Sequence, residues 1–516
     1  MTRFAEALAS KKEFVITCEL IPGRGHTGKS VENILGFVEA LKDFPAVHAV
    51  SLTDNPGGNP ALSADVVGAE VLARGMDTIV HFSCKDMNRN FIESRAFALQ
   101  RIGIGNLLVV SGDYPASGFQ GLAKPVFDLD SVSALHYLTS MNAGLRAASA
   151  RGETRVPKTD FFLGAAVSPF KWREASCVMQ YMKLEKKIRA GARFIITQLG
   201  YDTRKHIELL QYVREVLRSA VPVLGSVYVL TAGAADVMQR GEVPGCWVAP
   251  ELAAVVREEA RAEDKGRRAR LERAARQIAV LRGLGYSGAH LEGLALKADD
   301  VRFIVERSGE LASGWEKYSR ELSYAPPDPF YYFSPVTRTT KRVRIGSPKF
   351  WILRALHAMF FVPDTTGYRM MVTFARGTER RRGLARALTS TEHLVKRTFL
   401  QCRSCDDCAG VETYYVCPEA RCPKGMRQGP CGGSRVDEGC EVFPDRPCAW
   451  REIYRRAKSR GEVEKLGYII PPRNWSLYDT GSWYNYFLGR DHVGHPLELA
   501  SPGDIAAEPS DSGKTG

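Results

Sequence analysis

Several things are scarce in this 516-residue chain, and each scarcity excludes something. No uncharged apolar run reaches the roughly 18–20 residues that a membrane-spanning helix needs. The nearest stretch, Phe350 to Val362, is broken by Arg354 and His357. Met1 to Lys12 carries no apolar core of a signal peptide, so a cytoplasmic protein is expected. There is no Walker A sequence, and Gly57-Gly58-Asn59-Pro60 does not fit the Rossmann glycine pattern, which argues against a nicotinamide-binding module. Cysteine is sparse except in one place. Of 12, only Cys18, Cys84, Cys177 and Cys246 lie outside the segment from Cys402 to Cys448. In a reducing compartment the remaining eight point to metal or iron–sulfur ligation rather than disulfides.

What is present is an ordinary globular composition, 44% hydrophobic and 25% charged, which excludes a mostly disordered chain. The length suits about two to four domains, or one large barrel with an appendage. Lys+Arg exceeds Asp+Glu by 71 − 58 = 13. That balance suits anionic ligands such as phosphates or polyglutamates and admits nucleic acid; a basic solvated surface explains it equally well.

Over the first 310 residues short apolar runs alternate with amphipathic stretches. The runs are 14–20, 47–53, 78–84, 106–111, 161–167, 193–198, 221–227 and 288–292, each bounded by Gly, Pro or polar residues, as strands buried on both faces are. Helices are expected over 30–44, 62–74, 89–102, 131–150, 174–190, 203–218 and 262–284. Ser30 and Asp130 suit N-caps, and Gly75, Gly103 and Gly191 suit the left-handed residue past a helix end. Eight strands alternating with helices predict an α/β fold, a (β/α)8 TIM barrel over 1–312, with a doubly wound sheet as the alternative.

Beyond Glu310 the alternation stops. A linker is expected over 313–345, containing Ala325-Pro326-Pro327-Asp328-Pro329 and the basic residues Arg338, Lys341, Arg342 and Arg344. A smaller cysteine-rich, metal-binding α+β domain should follow over 346–495, with an aromatic helix at 351–361 packed inside it. A disordered tail is expected over 496–516. No internal repeat is visible beyond the barrel rhythm.

Barrel chemistry sits at the C-terminal strand ends. There the chain places Glu19, Thr53, His81, Asp113 after Gly112, Gln198, His290 and Glu292. Glu19 among apolar neighbours should keep its proton to a higher pH through desolvation, as a general acid requires, or else make a structural hydrogen bond. Gln198 offers a donor and an acceptor to a heterocycle. His81 on an apolar strand fits a satisfied core residue as well as a ligand.

The pieces Thr17-Cys18-Glu19-Leu20-Ile21-Pro22, Val50-Ser51-Leu52-Thr53, His81-Phe82-Ser83-Cys84, Gly103-Ile104-Gly105-Asn106 to Gly112-Asp113, and Ala190 to Gln198 come in the order and spacing of one known family. The first 300 or so residues resemble methylenetetrahydrofolate reductase. The resemblance implies a flavoprotein barrel, with FAD or alternatively FMN, that reduces 5,10-methylenetetrahydrofolate to 5-methyltetrahydrofolate in one-carbon metabolism and methionine supply. By the same resemblance Glu19 is the general acid, and Asp113 contacts the pterin and tunes the flavin. Gln198 binds folate; Thr53, His81, Gly112, Asp113 and Lys187 bind flavin. Three departures stand out: Ser111 replaces the family arginine, Val167-Ser168-Pro169-Phe170-Lys171-Trp172 replaces a Tyr-Pro-Glu-x-His segment, and strand eight lacks its usual aromatics.

The second half carries Cys402-x2-Cys405-x2-Cys408, then Cys417, Cys422, Cys431, Cys440 and Cys448. Eight thiolates suit two zinc ions, two four-cysteine clusters or one of each. The run resembles a ferredoxin pattern. With Gly429-Pro430-Cys431-Gly432-Gly433 it also resembles the zinc- or iron–sulfur-binding C-terminal module that accompanies certain methylenetetrahydrofolate reductases. That implies electron relay to the flavin, against a purely structural metal. NADH, NADPH and ferredoxin remain open as donors, as does homo-oligomerisation. The competing readings are a nucleic-acid-binding zinc protein and a pterin- or corrinoid-linked methyl-transfer partner without reductase activity; no nucleic acid partner is expected.

Overall fold

The computed structural model describes residues 2–149, 152–294, 296–334 and 347–497. Ten strands run in chain order: β1 Val15–Leu20, β2 Val47–Leu52, β3 Thr78–Ser83, β4 Asn106–Val110, β5 Arg146–Ser149, β6 Gly152–Arg155, β7 Phe162–Val167, β8 Phe194–Thr197, β9 Val223–Tyr228 and β10 Gly288–Glu292. Eight of them close into a parallel barrel in the order β1-β2-β3-β4-β7-β8-β9-β10. These are the eight apolar runs. Every residue of β2 and β10 is buried, as strands with a filled interior and a helical coat must be. Register is fixed by the seam, where Val15 opposes Gly288 and Cys18 opposes Leu291.

The coat consists of α1 Arg3–Ser10, α2 Lys29–Leu41, α3 Ala64–Ala73, α4 Arg89–Arg101, α5 Ser131–Ala143, α6 Glu174–Arg189, α7 Thr203–Gln211, α8 Ala232–Gln239, α9 Pro250–Glu259, α10 Arg267–Leu284, α11 Ala298–Glu310 and α12 Trp315–Glu321. α1 closes the barrel floor: buried Phe4 packs edge-on against Phe162 and Phe194, with centroids 6.0 and 5.1 Å away. Asp130 caps α5, accepting from Val132 N and Ser133 N at 3.1 Å. Gly75, Gly103 and Gly191 take positive φ past their helices.

Three local expectations need correction. The helix expected to reach Ala150 stops at Ala143, because Gly144 adopts φ 98° and closes it with bonds to Ser140 and Met141 carbonyls. Beyond it β5 and β6 pair as an antiparallel hairpin outside the barrel. α10 begins at Arg267 rather than Ala262, since Lys265 and Gly266 both take positive φ. Ser30 is not a cap: α2 starts at Lys29 behind Gly28, and Ser30 packs where Gly23 passes.

The second module contains α13 Pro348–Phe360, α14 Thr366–Glu379, α15 Arg382–Leu400, α16 Pro418–Arg421, α17 Ala449–Arg460 and α18 Ser482–Phe487. Expected as α+β, it carries its regular structure in helices; among the described residues its β pairing outside named strands is the bridge Gly439–Pro447. Loops between cysteines take the place of strands. α13 was expected to pack inside the module, but it buries only Phe350, against Tyr415 and Arg456, and leaves Trp351 and Ile352 45% and 59% exposed. In the segment expected as linker, residues 315–321 form α12, packed on α10. The basic residues 338–344 and the tail from 498 lie outside the described residues. Among those described, no helix is long and apolar enough to cross a membrane.

The module seats on α6. Trp450, Ile453, Tyr454 and Ala457 of α17 share a buried cluster with Ala175, Met179 and Met182. Full burial of one such aliphatic side chain contributes about 1.5–3 kcal/mol. Tyr454 donates to Glu174 at 3.0 Å, and Arg89 donates to the Arg473 carbonyl at 2.9 Å.

Candidate active site at the barrel mouth

A cavity of about 600 Å³ opens at the C-terminal ends of the strands. Glu19, Thr53, His81, Gly112, Asp113, Lys187 and Gln198, far apart in sequence, all line it. Each comes from a strand end or the loop after it, except Lys187, which α6 supplies. His290 and Glu292 of β10 line it too.

Glu19 lies 3.9 Å from His81 Nε2 and 3.8 Å from His290 Nε2. Burial lifts its carboxyl above the usual range; His81 opposes the rise and Asp113 adds to it. Both imidazoles are tied down: Ser51 Oγ meets His81 Nε2 at 2.6 Å and Thr17 Oγ1 meets His290 Nδ1 at 2.7 Å. Burial lowers His81 to about 4 and also lowers His290, so neither imidazole readily takes a proton. Glu292 is pushed up to about 7 by burial, with the Glu19 charge adding. The site therefore holds two carboxyl groups that burial makes harder to ionise, Glu292 up to about 7, which is the direction acid catalysis requires.

Across the cavity Asp113 accepts from Gly57 N at 2.8 Å. Burial raises it, while Lys424 pulls it down. Gly112 has φ 87°, and a Cβ there would lie 2.2 Å from Ser83 Oγ, so only glycine lets the chain turn into Asp113. Gln198 holds its own Oε1 on Leu199 N at 2.9 Å. Lys187 donates to the Ala166 carbonyl at 2.5 Å, and burial drops it to about 7.

The lining fits a polar cofactor. Thr53 Oγ1, Ser83 Oγ and Ser168 Oγ are buried without a hydrogen-bond partner, and all three residues face this cavity. A bound heterocycle with donors and acceptors satisfies such hydroxyls. Lys187 and the neighbouring Lys183 offer charge for a phosphate, which in turn would restore the full Lys187 charge.

The mouth is roofed by the second module, which the strand-end reading missed. Lys171 Nζ donates to the carbonyls of Gly432 and Ser434 at 2.8 and 2.5 Å. Gln180 donates to Cys431 O at 2.8 Å, and Lys183 to Gly429 O and Pro430 O at 3.3 and 3.2 Å. The segment Gly429–Gly433 is thus strapped onto α6 and the loop before it. A Cβ at Gly433 would press on the Glu441 side chain, which would have to move. The unusual segment Val167 to Trp172 is the part of the barrel that receives this strap, and its departure from the family pattern was the available signal.

The eight thiols are free and fall into two sets. Cys402, Cys405, Cys408 and Cys417 line one small cavity. Cys422, Cys431, Cys440 and Cys448 form the other: burial raises Cys448 first, followed by the charges of Cys422 and Cys440, and Cys431 feels Cys422 and Cys448. Backbone bonds Cys440 N to Arg446 O and Cys448 N to Glu438 O, 2.8 and 2.9 Å, bring two of them together. Four thiols are the number that a tetrahedral ion or a cluster takes, but among the described residues no three of the eight sulfurs lie within 4.8 Å of one another, so neither set is drawn in around a tetrahedral ion. Cys431 also lines the barrel cavity, so the second set borders the active site.

Comparison with known proteins agrees with this division. The family profile described as "Methylenetetrahydrofolate reductase" matches residues 3–309, and one described as "Methylene-tetrahydrofolate reductase C terminal" matches 382–476. Methylenetetrahydrofolate reductase 1 of Schizosaccharomyces pombe is 26% identical over 210 residues, 40% of this chain and 31% of that protein. A probable methylenetetrahydrofolate reductase (NADPH) of Caenorhabditis elegans is 25% identical over 218 residues, 41% of this chain and 30% of that protein. The chain thus spans under a third of the length of these curated relatives. An uncharacterised Clostridium thermocellum protein, described as binding two copies of 5-methyl-5,6,7,8-tetrahydrofolic acid, superposes with TM-score 0.44 at 10% identity, covering 60% of this chain and 99% of its own.

Proposed function

Since the chain belongs to the methylenetetrahydrofolate reductase family, we propose that it reduces 5,10-methylenetetrahydrofolate to 5-methyltetrahydrofolate, with the cysteine module relaying electrons to a flavin in the barrel. The observation that carries this reading is the convergence of Glu19, Thr53, His81, Asp113, Lys187 and Gln198 on one cavity at the strand ends.

Glu19, whose carboxyl burial makes harder to ionise, gives its proton to a nitrogen of the folate five-membered ring. The ring opens to an iminium, and the carboxylate left behind is the charge that favours the cation. Gln198 and Asp113 bind the pterin edge. Thr53, His81, Gly112, Asp113 and Lys187 hold the flavin, which when reduced supplies a hydride to the methylene carbon. FAD and FMN are distinguished by whether Lys187 meets a diphosphate or a monophosphate. In the second module Cys431, grouped with Cys422, Cys440 and Cys448, stands at the cavity, and Cys402, Cys405, Cys408 and Cys417 line a separate small cavity; two such sets suit a two-step relay from a soluble donor.

The test uses protein purified without oxygen. Flavin, iron, sulfide and zinc per chain are measured, followed by oxidation of methyltetrahydrofolate with an artificial acceptor. Yellow, folate-active protein with iron and sulfide supports the relay and makes ferredoxin the first donor to try. Flavin with zinc alone makes the module structural and turns the search to NADH and NADPH. A colourless, folate-inert protein overturns the reading. Glu19→Gln should keep its flavin and lose folate turnover by about 10²–10⁴-fold, the usual contribution of a positioned acid; unchanged turnover removes Glu19 from the mechanism.

A further inference from the structure

Family resemblance places an arginine at the position Ser111 occupies, directly before Gly112-Asp113, and β4 itself brings no cation to that turn. Lys85 in the barrel lies beside the turn and acts on Asp113, but its ammonium is paired with Asp86 at 2.5 Å; the cation bonded to the turn comes from more than 300 residues away. Lys424, on the loop after Cys422, reaches across the module boundary and donates to the Gly112 carbonyl at 2.8 Å. Its Nζ pairs with Glu441 at 2.5 Å and lies over the Phe127 ring at 5.8 Å. Only 2% of the residue is exposed. Asp113 and Cys431 are among the charges that act on it, so it stands between the strand-end aspartate and the nearer set of thiols.

A buried ammonium costs several kcal/mol of desolvation, and it persists only where its partners are well placed. Here those partners are one module's carbonyl and the other module's carboxylate. Lys424 therefore does two things at once: it fixes the turn that aims Asp113, and it sets a positive charge beside that carboxylate. Glu441 keeps the charge from being a free monopole and holds the ammonium on the barrel side of the boundary.

We propose that Lys424 is a positioning residue of the barrel site, delivered by the cysteine module, that holds the Gly112-Asp113 turn and supplies the positive charge missing at position 111. This deepens the flavin–folate reading and rests on it. A positive charge at this place favours the electron-rich reduced flavin, so it raises the potential at which the bound flavin accepts electrons.

The experiment compares the full-length, metal-loaded protein with Lys424→Met, Lys424→Arg and the double variant Lys424→Met/Glu441→Gln, which removes the pair together and spares the fold an orphaned carboxylate. Two readouts are taken: the flavin reduction potential by dye equilibration, and amide exchange at Gly57, whose N–H is held by Asp113. Lys424→Met and the double variant should shift the potential negative and speed exchange at Gly57 several-fold. Lys424→Arg should restore both towards wild type. Variants that keep wild-type potential and wild-type Gly57 exchange overturn the proposal. Wild-type protein that binds no flavin overturns the functional reading, and Gly57 exchange then decides the positioning role alone: faster exchange in Lys424→Met supports it and unchanged exchange overturns it.

Discussion

Single residues at the barrel mouth act through their neighbours. Glu19 and Glu292 share one buried space, so they titrate as a pair whose apparent values belong to both. In the mechanism proposed above, the protonated form is the one that gives a proton to folate. The rate of methylene reduction is therefore expected to be level on the acid side and to fall as pH rises through about 7, the value to which Glu292 is pushed. The charge on Glu19 makes it harder for Glu292 to lose its proton, so the pair keeps its last proton up to that value. Glu292→Gln removes the coupling and moves the alkaline fall of kcat/KM to lower pH. A fall at the same pH in both proteins separates Glu292 from the proton account. The two histidines do not confuse this fall, because burial lowers both.

At the scale of elements, one carboxylate joins a helix start to the other module. Asp130 caps α5 through one oxygen and accepts from Gln428 N at 3.1 Å through the other. Losing the cap costs about 1 kcal/mol, and a buried N–H left unpaired costs about 1–3 kcal/mol more. Asp130→Ala is expected to lower stability to urea by about 2–4 kcal/mol, and Asp130→Asn, which keeps an acceptor, by less. A loss under about 0.5 kcal/mol for Asp130→Ala, the size of an ordinary surface change, refutes the double role. Asp130 as a cap was legible in the sequence, because capping is local. So were the eight barrel strands, whose runs are apolar on both faces and end at glycine, proline or polar residues. The end of α5 was not: Ala147-Ala148-Ser149-Ala150 reads as good helix material, and Gly144 stops the helix before it is used. The bond from Gln428 to Asp130 was beyond reach, since no local pattern joins residues 298 apart.

For the whole molecule, the asymmetry is between a barrel closed by its own strands and a cysteine segment with little regular structure. From Gln401 to Cys448 the only helix is α16, four residues long. Ser404, Asp406, Tyr414, Tyr415 and Glu438 take positive φ, as residues in tight turns do, rather than winding into regular elements. Removing the metal under anaerobic conditions is expected to raise amide exchange across 402–448 and, through the lost strap, at 168–183, while β1 to β4 keep their protection. Full protection of 402–448 after metal loss would falsify the assignment of the eight thiols as ligands. The sequence showed these cysteines as one crowd; their division into two sets, and the placement of one at the barrel, required the fold. The strap of Gly429–Gly433 has a consequence for how the chamber is made: its walls and its ceiling come from stretches of chain more than 200 residues apart, so the chamber is complete only where both are seated on α6.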